Sequence, residues 1–583
     1  MQLRNQPFAF IIPFSCSFLF MDVPGMQLLH KLLVMAGSVG LFFLMRRTSI
    51  TAFIRNTGAG TWWLFAAAVL YAGFAFVGHP LFFTAYPVPH AVLRAVSFVL
   101  FCSWLSFPAI AFLYFMDWCA RRLAFNNSLP NTQRVYSTAR LYTIFSCVLL
   151  VGWLLYFIGF YPGNMSVDSF VQYRQALGME PLTDVHPVFH TLVMRALLLF
   201  WTSPAIITLF QIVFMTAVVS SFLVFLYKAG VPYTLLLILV ILTALLPPNG
   251  IMVTVLWKDI PYCCSLLWLT LVLAELVTGK YIFNYKITLV CLVASLTGVA
   301  LFRHNGNLAA LIVALFLVAW AVTNRRKGIW MATSLFLLVF AVYKKWIVPS
   351  WLHVQPVQTA FTTTPLVHGI ASVIYYNGEL SADTKQQMEA VLPADAWKSN
   401  YNPYSADEYL FMPNTDFIGN LSKVPVSKVV GMYAHTFVHH PFLIARDRLA
   451  GCEVMWNAFQ GEGASNYSFH PEITENDLHI AQHDTVLKKV LMGMVKFSGR
   501  ALDPLSRRAG LYNVALLLLM VYAFRRRTLW LAVFVPLLGA NFSLLLSMTY
   551  QSYRYVYYAP LLFWFMLLLV ISPLFASTGD TKN

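Results

Sequence analysis

The chain has 583 residues, of which 59% are hydrophobic and 11% charged, with a net charge of +16. A soluble domain carries about a quarter charged residues, so this composition excludes a soluble globular fold and points to an all-α polytopic membrane protein. The positive charge sits in short clusters between apolar runs, which sets membrane orientation and does not point to nucleic acid.

In chain order, residues 6–21 are apolar but short and lack a small-residue cleavage site. They leave open a first span or a true start at Met21 or Met26. A membrane-crossing helix needs about 20 apolar residues. Runs of that kind predict spans near 28–45, 60–79, 91–115 and 139–160, then near 204–227, 232–248, 259–278, 286–302, 308–323 and 329–347. After a long polar interval, further spans are expected near 510–524, 528–548 and 556–575. The total is about 13 transmembrane helices. The chain divides into N-terminal helices (1–138), a transmembrane core (139–347), a polar domain (348–509) and C-terminal helices (510–583).

Basic clusters orient these spans. Arg46 and Arg47, Arg121 and Arg122, Lys228, Lys280 and Lys286, Arg325 to Lys327, and Arg525 to Arg527 all fall on one side, the expected cytoplasmic side. The loop 161–203 and the polar domain then share the outer side. Counting 187–201 as a span would invert every later cluster. It is also short and carries His190 and Arg195, so it is expected to lie along the interface as an amphipathic helix.

The outer loop is unusual for such a chain. Asp168, Glu180, Asp184, His186 and His190 lie close together in it, after a Pro162-Gly163 turn. Asp168 either caps the helix that begins at Ser169 or serves as a general base or orienting carboxylate. Asp184 either holds the His186 imidazole in one tautomer or is a solvated turn residue.

Cations form the second signal. Lys258, Arg303 and Arg554 fall at outer span ends, in WKD, FRHNGN and YQSYRYVYY, with Lys344 and Lys345 on the same side. They run against the orientation rule. They either snorkel from displaced span ends or form an anion site suited to phosphate.

In the polar domain, Ser381 is expected to cap a helix, residues 424–458 to form a helical zone broken near Pro441, and 397–417 to be turns. The domain as a whole is expected to be mixed or mainly helical. His435 and His439, and His479 and His483, have a spacing that on a helix offers two imidazoles to one metal. Neither pair carries the intervening Glu of the zinc hydrolase motif.

An acidic residue early in the first outer loop, then His-Pro, an interfacial helix and a ladder of spans resembles the GT-C superfamily of integral-membrane glycosyltransferases. That superfamily includes protein O-mannosyltransferases and lipid A aminoarabinose transferases. Asp168 matches its acidic residue and His186-Pro187 its His-Pro, while Val188 replaces a second proline and Ser169 a second acid. Arg554-Tyr555 with Pro560 resembles a late Arg-Tyr and proline segment of the same superfamily. From about residue 139 onward the chain also resembles a group of bacterial membrane proteins with the pattern YPG…S.DS..QY.QA.G..PLTD.HP, here Tyr161 to Pro187.

The resemblance implies sugar transfer from a polyprenyl phosphate or pyrophosphate carrier to an envelope glycan, lipid or protein acceptor, at the outer face of a bacterial plasma membrane. Asp168 and His186 would be catalytic. The expected substrate-binding set is Tyr173, Asp184, His190, Lys258, Asp259, Arg303, Asn305, Arg554 and Tyr555. No cofactor is demanded, and a divalent cation is left open. A transporter or lipid flippase, a polysaccharide polymerase or ligase, and a non-catalytic receptor are the alternatives.

Overall fold

Inside a bilayer each backbone amide must find its partner within its own segment, so long apolar runs become helices. The computed structural model describes Met116, Cys119 and residues 136–457, 469–501, 507–526 and 528–577. The segment 6–21, the expected spans at 28–45, 60–79 and 91–115, and the clusters at Arg46–Arg47 and Arg121–Arg122 lie outside the described residues. Among the described residues every regular element is helical, and strand pairing is confined to isolated bridges.

Helix α1 (Thr138–Gly159) leads into the polar loop, which folds as α2 (Val167–Leu177) and α3 (Val188–Leu198) before α4 (Pro204–Lys228). Next come α5 (Tyr233–Leu245) and α6 (Pro247–Thr254), one apolar stretch bent by 57°. The bend falls where Pro247 and Pro248 remove backbone donors and crowd the preceding turn. Then follow α7 (Asp259–Thr278), α8 (Tyr285–Phe302), α9 (His304–Thr323) and α10 (Lys327–Val342), which continues into a π-helical segment at Tyr343–Trp351.

The polar region holds α11 (Thr359–Tyr375), α12 (Ala382–Val391), α13 (Ala394–Ser399), α14 (Asp407–Leu410), α15 (Phe417–Ser422), α16 (Val426–His439), α17 (Pro441–Gly451), α18 (Glu453–Trp456) and α19 (Val486–Ala501). The chain closes on α20 (Ala509–Arg526), α21 (Leu531–Ser547), α22 (Tyr553–Val556) and α23 (Tyr558–Ile571). Among the described residues, seven helices have the length and apolarity to cross a membrane, or eight with the bent pair taken as one. Each span expected from residue 139 onward falls on a helix, but Ala509–Phe524 and Leu531–Ser547 are shorter than a full crossing.

The helix ends gather into two groups. At one end Lys228 Nζ donates to the Tyr281 and Ile282 carbonyls, and the Leu574 N–H donates to Ala229. The described basic turns at Lys228, Lys280 and 325–327 belong to this end. At the other end the 161–187 loop, Lys258, His304, Lys344 and Arg554 meet.

The polar region is only partly a separate domain. Its own core runs from Ala360 to Met432 around the fully buried Trp397. Ser381 caps α12 by accepting the Thr384 N–H at 3.2 Å, and the helical zone breaks before Pro441. The later part of 348–509 packs back on the helix bundle. Cys452, Val454, Phe469, Leu491 and Val495 join the core of the spans, and Ile473, Leu478 and Ile480 cover α2 and α3.

Candidate functional site

The loop is built to aim one carboxylate. Gly163 has φ +133, and a Cβ there would meet Thr208 Oγ1 at 2.3 Å, so only glycine passes this turn. The Asn164 N–H then donates to the Thr254 carbonyl at 2.8 Å, and the Leu256 N–H returns to Asn164 at 3.0 Å. This pairing lays the start of α2 beside Trp257 and Lys258.

Ser166 is the N-cap of α2, in a capping box with Ser169, so Asp168 does not fill the capping role that its position allowed. Its carboxylate is left in the first turn and reaches across to two other segments. Asp168 Oδ2 lies 3.0 Å from Arg554 Nη1 and 3.5 Å from Lys258 Nζ, and Oδ1 lies 3.9 Å from His186 Nε2. The carboxylate remains 31% exposed while both cationic side chains are only 13% exposed. The carboxylate is the most open of the three groups.

Burial works against ionisation of Asp168, but Lys258 and Arg554 outweigh it and hold its pKa well below the usual carboxylate range. The opposite happens at His186. Burial and then Lys258 push its pKa down to about 3, against the pull of Asp168. The imidazole is therefore neutral at neutral pH. Its Nδ1 lies 3.1 Å from Lys258 Nζ and accepts from it, so His186 positions the lysine.

Aromatic rings complete the cluster. The Arg554 guanidinium stands 4.7 Å from the Trp257 ring centroid and 5.1 Å from that of Tyr555, and Nη2 donates to the Tyr555 hydroxyl at 3.3 Å. Trp257 is itself fixed by donating Nε1–H to Ser166 Oγ at 2.8 Å. Away from the charged residues themselves, a cavity of about 80 Å³ lies between the bent α5–α6 pair and α23, lined by Leu239, Asn249, Tyr553, Pro560 and Trp564.

The expected substrate-binding residues separate into groups. Lys258, Arg554 and Tyr555 join Asp168 and His186. Arg303 does not offer a free cation, because its Nη1 sits 2.9 Å from the fully buried Asp259 carboxylate and its guanidinium lies over Tyr555 at 4.4 Å. Arg303 and Asp259 brace the site from below. Asp184 lies in a neighbouring cluster, 4.0 Å from His304 Nε2 and 3.7 Å from Lys344 Nζ, and does not touch His186.

Three of the residues point elsewhere. Tyr173 is buried and donates to the Thr202 carbonyl, His190 is buried against Gln172, and Asn305 donates to Ser543 Oγ at 3.1 Å. These contacts hold the loop and two helices together.

No metal donor set forms. No group of three or more metal-ligating side chains gathers among the described residues, and Asp168 is already shared by two cations. His435 and His439 stack on α16, but His479 and His483 lie outside any helix, with His479 at φ +53. The second spacing therefore has no helical meaning.

Trp257 and His304 stood inside the quoted WKD and FRHNGN segments without being singled out. Asp407, on the polar region, had no sequence signal beyond an adjacent Glu408. Fold and composition define the chain as an all-α polytopic membrane protein with one charged, aromatic-lined site at an end of its helix bundle. No protein-family model matches it, and neither do any curated protein or solved structure.

Proposed function

We propose that this protein is a GT-C-like membrane glycosyltransferase that moves a sugar from a polyprenyl-phosphate donor to a cell-envelope acceptor. The site end of the bundle faces outward from a bacterial plasma membrane, with the basic turns in the cytoplasm. One observation carries the reading. Lys258 and Arg554, from different segments, converge on the single carboxylate of Asp168, so two cations stand together at one end of the bundle.

A phosphate suits that charge, and the guanidinium fork of Arg554 can hold two of its oxygens. The apolar cavity beside α23 is the place between helices where we put the donor's hydrocarbon chain. As the sugar–phosphate bond breaks, charge grows on the leaving phosphate where the two cations already stand. Asp168, ionised and pinned, is better suited to orienting the acceptor and facing the positive charge of the sugar than to removing a proton.

A nucleotide-sugar donor is disfavoured, because it is cytosolic and no phosphate-cradling glycine motif occurs at the basic end. The test supplies purified protein in liposomes with labelled polyprenyl-phosphate glucose or mannose, or with the matching nucleotide sugars, plus a cell-envelope extract. Transfer from the lipid-linked sugars supports the reading. Transfer from nucleotide sugar alone, in a carrier-free preparation, contradicts it.

The bent α5–α6 pair favours a second reading, since transporters place binding sites at discontinuous helices. Movement of a lipid-linked sugar across liposomes without any transfer would decide for that reading.

A further inference from the structure

A second carboxylate approaches the same site from the polar region. Residues 402–410 form a tight turn in which Asn402 Nδ2 donates to Glu408 Oε1, and Asn402 Oδ1 accepts the Tyr404 N–H at 3.0 Å. The Asp407 N–H donates to Ser405 Oγ at 3.0 Å, which fixes the residue that opens α14. The turn is fastened to the chain just before Arg554. Ser405 forms a bridge with Tyr550, and the Ala406 N–H donates to the Thr549 carbonyl at 2.7 Å.

Asp407 consequently stands in the field of Asp168 and Arg554, with Glu408 beside it and Tyr550 across the bridge. It is half-buried and makes no ion pair among the described residues. Two carboxylates from distant parts of the chain thus share the field of one arginine, and only Asp168 is paired with it.

We propose that Asp407 is the proton acceptor of the transfer step, an assignment that rests on the glycosyl-transfer reading above. The acceptor hydroxyl oxygen bonds to the anomeric carbon of the sugar while the bond from that carbon to the phosphate oxygen breaks. The bonding pair leaves with polyprenyl phosphate, held by Lys258 and Arg554. The hydroxyl proton passes to the Asp407 carboxylate.

The surroundings suit the role. Burial, then Glu408 and Asp168, push the pKa of Asp407 up to about 6 against the pull of Arg554. A carboxylate poised near working pH takes a proton more effectively than one held ionised by cations, and pairs driven apart in this way mark a division of labour. Above pH about 6 Asp407 is ionised and can accept; below it the proton is already in place.

The experiment measures sugar release from polyprenyl-phosphate glucose and mannose by the full-length protein in liposomes, with cell-envelope extract, on both sides of pH 6. Wild-type kcat/KM should rise through pH about 6 and level off. Asp407→Asn should lose that limb and run slower by about 10²-fold or more, while Asp407→Glu keeps a limb. Glu408→Gln removes a like charge, so its limb should move to lower pH, a shift that a purely structural turn would not give. An Asp407→Asn protein with the wild-type rate and limb overturns the assignment and leaves glycosyl transfer standing. Absence of release by wild type from either donor removes both.

Discussion

Two carboxylates in this chain each face an arginine and a histidine, and their surroundings are opposite. Asp447, in α17, is fully buried: His368 Nδ1 lies 2.8 Å away, Tyr401 donates its hydroxyl at 2.8 Å, and Arg448 Nη2 stands at 3.3 Å. The partners of Asp447 are themselves tied to backbone, His368 to the Asn402 carbonyl at 3.0 Å and Arg448 to the Met548 carbonyl at 3.1 Å. Asp168 is partly open, shared by two cations, and backed by aromatic faces. A saturated carboxylate network fixes a structure, whereas an open carboxylate held by two cations leaves room for an anion to take its place. The two are also connected, because the Asp447 network anchors both chain segments that carry Asp407 and Arg554.

The contrast can be broken by substitution, starting with the largest expected effect. Asp447→Asn strands buried polar partners and should lower stability by about 3–5 kcal/mol, as for other broken buried pairs. Denaturation of the purified protein measures this, and a near-unchanged midpoint would deny the bracing role. Asp168→Asn should leave the unfolding midpoint close to wild type but reduce transfer by about 10²-fold through lost electrostatic stabilisation. Equal turnover would remove Asp168 from the chemistry.

Smaller effects sharpen the same comparison. Arg554→Ala should weaken binding of the lipid-linked donor by about 1.5–3 kcal/mol, the range for a hydrogen bond to a charged group. Arg554→Lys should restore part of that, since the charge returns without the fork. Donor titration separates these outcomes, and full recovery with lysine would argue for charge alone. Trp257→Leu should cost about 0.5–2 kcal/mol of donor binding by loosening the guanidinium, with no matching loss in Arg303→Lys.

Much of this arrangement was legible in the sequence, for reasons that also mark where legibility stops. The helices follow from apolar run length, and the site loop stood out because ionisable groups are scarce elsewhere. Lys258 and Arg554 stood out because they oppose the orientation rule. Arg303 obeyed the same logic, yet it is neutralised by Asp259 from a neighbouring helix, and only packing reveals that. Asp168 looked equally fit to be a cap because a two-residue difference in where a helix starts cannot be read from composition. The His479–His483 spacing presumed a helix that the chain does not form, since Asn476 closes a local turn by accepting the Ile480 N–H at 3.0 Å. Asp407 was invisible because a backbone bridge between residues far apart in sequence brings it to the site.

The central claim is that the Lys258–Arg554 pair is a phosphate site restrained by Asp168. Titrating the purified protein with farnesyl phosphate, for wild type, Asp168→Asn and Arg554→Ala, tests it most directly. A unit charge about 4 Å away is worth about 1 kcal/mol even in bulk water, so Asp168→Asn should bind the phosphate at least about fivefold more tightly. Arg554→Ala should bind it more weakly. Tighter binding by the same variant that has lost transfer is the predicted result. Weaker or unchanged binding by Asp168→Asn, or unchanged binding by Arg554→Ala, would contradict the account.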